Sequence, residues 1–341
     1  MKVIVWNAPE RMNVEQHEVP MPKVNEVLVR ILGVGICGSE IEGYLGHNSL
    51  RVPPLIMGHE ICGRVEQNGD GANQFDVGQK VVVNPLLFCD ECLSCLKGLT
   101  QLCAKRQIVG IHRPGGFAQY VAVPQSTLVP VSESMNPYRA SLAEPLACSL
   151  RAVRRAIERH TFPNIVVFGA GGIGLLSAKV TRLLGASKVL IVDTNDDRLH
   201  MARNIQFEHI FNPTKGNLKE HAAALFGSKG VDVVIDAAGF QPTRESGMEL
   251  LSPGGTIMNI GLGIDETKLF INRLIRSEIE ILGSFCYTRQ DFYDAVQLLE
   301  QGVITEEGWT EVRSLTEANT AFQDLVSGKV INGKIFLDPS R

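Results

Sequence analysis

Between Asn164 and Asp193 the sequence reads as strand, glycine turn, helix, strand and acid. NIVVFGA at 164–170 is a continuous apolar run of strand length. A strand of that kind is buried on both faces, as parallel strands are. A helical stretch follows at about Ile173–Leu184, then a second apolar run, KVLIVD, at 188–193. Parallel neighbours need a crossover connection, so this unit demands an α/β layered architecture. VDVVIDAAG at 231–239, GTIMNIG at 255–261 and IEILGSF at 279–285 extend the series. Residues 151–284 are therefore expected to form a doubly wound parallel sheet covered by helices.

The first turn of this unit carries a nucleotide signal. Gly169, Gly171 and Gly174 fit G-x-G-x-x-G, with Gly172 and Ile173 opening the helix. The first glycine permits a tight turn, the second a close approach to a pyrophosphate, and the third close packing of helix on strand. The helix N-terminus presents free N–H groups to phosphate. Asp193 ends the next strand, where a carboxylate accepts from ribose hydroxyls, which favours NAD over NADP. Arg198 raises the NADP question; its plainer reading is an exposed helix-surface residue. A glycine-rich turn without a ligand is the bland alternative for the motif as a whole.

Residues 1–150 follow a different pattern. EVLVRIL at 26–32, GRVEQNG at 63–69, KVVVNPL at 80–86 and FAQYVAVP at 117–124 are short β-like runs separated by Gly/Pro turns, as in an irregular β-barrel. Residues 285–341 hold two helical patterns, RQDFYDAVQLLEQG and TEANTAFQDLVSG, and end in a strand-like GKIFLD. They are read as a return to the first domain. A length of 341 residues accommodates two domains. The net charge of −4, without a basic block, argues against a nucleic-acid surface. Val3–Trp6 is too short an apolar run for a signal peptide, and no run is long enough to span a membrane. The expected compartment is the cytoplasm, where clustered cysteines are metal ligands before they are disulfides.

Four of the eight cysteines fall in FCDECLSCLKGLTQLC: Cys89, Cys92, Cys95 and Cys103. Two-residue gaps let tight turns converge sulfurs on one ion, and four thiolates close a tetrahedral shell. The lobe at 88–104 is thus read as a structural zinc site, with an iron–sulfur cluster and a zinc-ribbon module as alternatives. The ribbon reading is weakened by Asp90 and Glu91 inside the loop, with only Lys97 as a basic residue close by. A second, looser constellation is Cys37, His59 and a carboxylate, Glu60 or Glu144. One thiolate, one imidazole and one carboxylate leave a metal position open for substrate. Taken singly, Cys37 is equally a small buried hydrophobe, His59 a turn residue and Glu144 a helix-start acid.

GICGSE, GHEICGRV, the cysteine lobe, GGFAQYV, EPLACSL and GAGGIG occur in the order and spacing of a known family. The chain resembles the zinc-dependent medium-chain alcohol/polyol dehydrogenases over essentially its whole length. It is most similar to the branch acting on sugar alcohols, sugar acids and their phosphates. The resemblance implies a GroES-like catalytic domain, a Rossmann domain, one catalytic and one structural zinc per chain, NAD, and a homodimer or homotetramer. It implies reversible oxidation of a secondary alcohol to a ketone. Cys37 and His59 match metal positions, with Glu60 and Glu144 both matching residues that bind or exchange at the metal. Ser39 matches the hydroxyl that hands on the substrate proton.

Three positions depart from the family pattern. Glu40 stands where Asp is common and is read as structural. Glu42 stands where a relay histidine often lies. Cys286-Tyr287 replaces the Arg-Tyr pair of sorbitol dehydrogenases. Phe117 is read as an apolar pocket wall and Tyr44 and Tyr287 as polar tips in the pocket, with ordinary packing as the equal alternative for each. Arg51, Arg113 and Arg273 serve a substrate phosphate or carboxylate, or merely the surface. An amino-alcohol dehydrogenase like threonine dehydrogenase, and a non-catalytic nucleotide binder, are the competing functions.

Overall fold

The computed structural model describes Met1–Arg341, and the chain divides into two compact units. The first comprises Met1–Glu144, Thr288–Val330 and Lys334–Arg341; the second comprises Pro145–Tyr287 and Ile331–Gly333. The passage into the second unit falls between Glu144 and Pro145, in the first turn of a helix, rather than at the expected residue 150.

The first unit opens with an antiparallel hairpin, β1 (Lys2–Ala8) and β2 (Arg11–Gln16). The apolar run Val3–Trp6 is the buried part of β1. The main sheet is built on β3 (Glu26–Gly35), followed by helix α1 (Gly38–Tyr44), β4 (Glu60–Asn68) and β5 (Lys80–Val83). The cysteine lobe follows the short β6 (Leu86–Leu87) and contains the single helical turn α2 (Leu93–Leu96) before β7 (Gln107–Ile108). Then come β8 (Tyr120–Pro124), β9 (Leu128–Pro130) and α3 (Pro137–Ser141). β3 and β4 are antiparallel, with Gly35 opposite Glu60. The other edge of β3 is shared: β8 pairs with its first half.

The second unit begins with α4 (Ala143–Ile157), whose first residues belong to the first unit. Its sheet is parallel throughout. The strands are β10 (Asn164–Phe168), β11 (Lys188–Val192), β12 (Ile210–Phe211), β13 (Val231–Asp236), β14 (Leu251–Asn259) and β15 (Glu280–Gly283). Their order is β12-β11-β10-β13-β14-β15. Counted from β10 that is 3-2-1-4-5-6, the doubly wound dinucleotide-binding order. The intervening helices are α5 (Gly172–Leu183), α6 (Asp196–Asn204), α7 (Leu218–Phe226), α8 (Gln241–Leu250) and α9 (Ile271–Arg276). All five residues of β10 are buried, as its unbroken apolar run requires. β15 lies at the sheet edge and half exposes Ile281.

The chain then re-enters the first unit through α10 (Arg289–Glu300), β16 (Thr310–Ser314), α11 (Ala318–Val326) and β17 (Lys334–Asp338). β17 pairs with the end of β3 at Val34 and Gly35. Thus a strand from the last residues closes the sheet beside Cys37. One core holds Val3, Trp6, Val29, Ile61, Phe117, Phe322 and Ile335 together, so the return segment is part of the first unit's hydrophobic centre.

Candidate functional site

The four lobe cysteines converge. Sγ···Sγ distances are 3.6 Å for Cys92–Cys95, 3.5 Å for Cys103–Cys89 and 4.0 Å for Cys89–Cys95. Sulfurs placed tetrahedrally at about 2.3 Å from one zinc stand roughly 3.8 Å apart, so the cage has the size of that ion. The chain supplies anion-favouring backbone donors. N–H groups of Cys95 and Ala104 hold the Cys92 thiol down to about 6, while burial and the neighbouring thiols push Cys95 up to about 12. Asp90 turns the chain with φ 59°. The lobe is anchored by Arg289, which lies 4.7 Å over the Phe88 ring and pairs with Asp90 at 3.3 Å.

Cys37 follows β3, and His59 precedes β4 at the same end of that antiparallel pair. The register therefore brings Cys37, His59 and Glu60 together, with one ligand atom of each within 4.8 Å of the others. Glu60 is fully buried and pairs with Lys334 of β17, itself only 6% exposed. Burial alone would pull the Lys334 pKa down; Glu60 more than reverses this and holds it above the usual value. The second carboxylate oxygen, Oε2, is buried with no hydrogen-bond partner. A buried orphan acceptor beside a thiol and an imidazole is a donor set for a divalent metal. Gly35 is required here, because a Cβ on it would stand 1.9 Å from that oxygen. Glu144 is buried in the first turn of α4 and lies outside the three-residue group.

Around these three, Glu40 is the organiser. It is fully buried and accepts from Cys37 N at 3.0 Å, Gly58 N at 2.8 Å and His59 Nδ1 at 2.7 Å. Burial works against its charge, and His59 and Arg51 more than offset that, so its pKa is lowered. Burial likewise disfavours an imidazolium at His59, yet Glu40 and Cys37 hold the pKa well above the usual value. Ser39 Oγ donates to Cys37 Sγ at 3.4 Å and accepts from Arg51 Nη2 at 3.1 Å. Glu42 faces solvent and meets His47 Nδ1 at 3.2 Å. Phe117 and Tyr44 pack on Phe322 in the core, and Tyr44 donates to Glu10 O, which accounts for both as packing residues.

The glycine turn of the second unit has the geometry of a phosphate cradle. Gly169 has φ +99°, a conformation that favours glycine. A Cβ on Gly174 would stand 1.8 Å from Gly169 O, so helix α5 and the turn touch directly. A Cβ on Gly171 would meet nothing within 4 Å; the space above that backbone is open. Asp193 Oδ2 accepts from Ala170 N at 2.7 Å and Oδ1 from Asn195 N at 2.8 Å, tying the turn to the end of β11. Arg198 is not the fully exposed surface residue its helix position suggested. It is partly buried in α6, and its Nε is buried without a partner.

Residues 23–133 match the model of the alcohol dehydrogenase GroES-like domain, and residues 172–301 that of the zinc-binding dehydrogenase. L-galactonate-5-dehydrogenase of Escherichia coli K12 is 32% identical over 339 residues, covering 98% of both chains. This protein is a zinc-binding dehydrogenase of the medium-chain family. Two solved structures share the dehydrogenase's fold. Galactitol-1-phosphate dehydrogenase from Escherichia coli superposes with a TM-score of 0.91 at 26% identity, over 99% of this chain and 100% of that one. An alcohol dehydrogenase from Escherichia coli CFT073, complexed with NADH, gives 0.90 at 26%, over 99% of each. No helix is long and apolar enough to cross a membrane.

Sequence reasoning missed one contributor to the candidate site, Lys334, whose partner is set by sheet pairing. Glu40 was read only as structural, although it follows Cys37 by the spacing of a capping box. Arg51 was named with two other arginines as an anion partner or a surface residue, and its contact with Ser39 depends on the path of a loop.

Proposed function

We propose that the dehydrogenase reversibly oxidises a secondary alcohol of a polyol, sugar acid or polyol phosphate to the ketone, with NAD as hydride acceptor. The observation that carries this reading is the group Cys37, His59 and Glu60, with Ser39 bonded to the Cys37 sulfur. Cys37 Sγ, His59 Nε2 and Glu60 Oε2 would hold the catalytic zinc, with Glu144 as a carboxylate that exchanges with Glu60. Cys89, Cys92, Cys95 and Cys103 would hold the structural one. When bound, zinc supplies Lewis acidity at a hydroxyl oxygen and nicotinamide supplies the hydride acceptor.

The chain's own residues do the rest. Glu40 accepts the His59 Nδ1 proton, which fixes the tautomer that leaves Nε2 as a ligand. Lys334 neutralises one oxygen of Glu60 and leaves the other unbonded. Ser39 Oγ takes up the proton leaving the substrate hydroxyl as it releases its own toward solvent, so the serine is left neutral. Gly169, Gly171, Gly172, Ile173 and Gly174 cradle the pyrophosphate at the start of α5, and Asp193 engages the ribose. Asp193 repels a 2′-phosphate, and Arg198 is the cation that would favour one.

NADH formation on a panel of polyols, sugar acids, sugar phosphates and threonine, paired with metal analysis, tests the reading. Two zinc ions per chain and turnover that disappears in Cys37→Ser are expected. One zinc, with no turnover after zinc is restored, would refute the catalytic site and leave the lobe standing. The reading places the enzyme in the cytoplasm, where its thiols stay reduced. The exposed edge of β15 is expected to pair with a second copy. Sedimentation that finds only monomer at micromolar concentration would sink that pairing.

A further inference from the structure

Three arginines stood open as partners for an anionic group, and the structure separates them. Arg113 pairs with Glu26. Arg273 donates to the carbonyls of Met248, Glu249 and Leu251 at the end of α8. Arg51 is different. It is only 3% exposed, and its side chain lies over Gly43 of α1, where an added Cβ would meet Arg51 Cδ at 2.5 Å. The side chain's one hydrogen bond goes to Ser39 Oγ, and its Nε is buried without a partner. The acid nearest in its field, Glu40, is already occupied by the Cys37 and Gly58 amides and by His59. The other buried cation beside Cys37, Lys334, is paired with Glu60.

A buried guanidinium without an ion-pair partner is costly, and an anionic ligand would supply that partner. Its planar fork suits carboxylate and phosphate oxygens.

We propose that Arg51 is a specificity residue that binds an anionic group of the substrate, a carboxylate or a phosphate, next to the hydroxyl handled by Ser39. The substrate class is then a sugar acid or a polyol phosphate, and a neutral polyol is the poor substrate. This rests on the dehydrogenase reading above and narrows it.

The test compares L-galactonate and D-gluconate with galactitol and D-glucitol, and adds galactitol 1-phosphate and glucitol 6-phosphate as the phosphate arm. The zinc-loaded wild type, Arg51→Met and Arg51→Lys are assayed for NADH formation. Binding of the same six compounds is measured by calorimetry. The wild type is expected to favour the anionic member of a pair by roughly 10- to 100-fold in kcat/KM, as charge-assisted hydrogen bonds imply. Arg51→Met should collapse that ratio mainly through KM, and Arg51→Lys should restore part of it. The carboxylate and phosphate arms tell which group is bound.

A wild-type ratio below about threefold overturns the proposal whatever the variants do, as does an unchanged ratio in Arg51→Met. Turnover confined to neutral polyols would sink the subsite and leave the reaction. Anion binding that depends on Arg51, without turnover of any compound, would sink the reaction and leave the subsite.

Discussion

The ion pair of Glu60 and Lys334 makes the strongest demand on the first unit. Consider Lys334→Met, which keeps the aliphatic stem and removes the charge. Glu60 is fully buried and Lys334 is 6% exposed, so solvent screening does not soften the loss. The carboxylate would be left with neither oxygen bonded to a protein donor, because Oε2 already has no partner. Removing one member of a buried pair costs about 3–5 kcal/mol. At roughly 2–4 °C per kcal/mol for a unit of this size, the melting temperature should fall by about 6–20 °C. Adding Glu60→Gln removes the stranded charge, and the double variant should regain at least half of that loss. Scanning fluorimetry of the metal-free proteins, so that zinc does not take the place of the lost cation at Glu60, measures all three. A fall of under about 1 kcal/mol in Lys334→Met, or a double variant no more stable than the single one, would show that this pair does not bear the charge of Glu60.

Two further outcomes follow from the same geometry. Glu40→Gln keeps the shape of the acceptor but weakens its hold on His59 Nδ1, and should lower zinc affinity at the Cys37 site by about 10- to 100-fold, read by chelator competition; unchanged affinity would refute the orienting role. Glu26 is buried enough to resist charging, but Arg113 and the Lys23 amide lower its pKa below the usual 4.5. A depressed carboxyl contributes stability above its unfolded pKa that is lost as pH falls through the folded one. Wild type should therefore lose melting temperature below about pH 4.5 more steeply than Glu26→Gln, and parallel curves would refute the linkage.

The sequence announces what depends on near neighbours and is silent on what depends on pairing. The valine and isoleucine run of β10 could be read because a strand buried on both faces has no polar positions. The lobe could be read because its ligands lie in one short loop. The N-terminal hairpin could not, since Val3–Trp6 shows an apolar run without saying which strand it pairs with. The choice between Glu60 and Glu144 was likewise open, because both flank plausible ligands. Strand register places Glu60 opposite Gly35 and beside Cys37, whereas Glu144 sits at the head of α4. Glu40 was read as structural, and its buried contacts make it a positioning residue for the imidazole. Lys334 acquires meaning only once the chain is folded, and only the fold separates Arg51 from Arg113 and Arg273.

The strand β17 closes the sheet at Gly35, and it is made 274 residues after Glu60. At about 5–20 residues per second, a ribosome reaches Lys334 roughly a quarter of a minute to a minute after it has passed Glu60. During that interval the nascent first unit has its thiol, imidazole and acids but only one of the two buried cations that stand against them, Arg51. The second unit, uninterrupted over most of its sheet, can fold in the meantime. The candidate metal site is therefore among the last parts of the chain to be completed, and an unfinished chain holds that site with Glu60 unpaired and its sheet without β17.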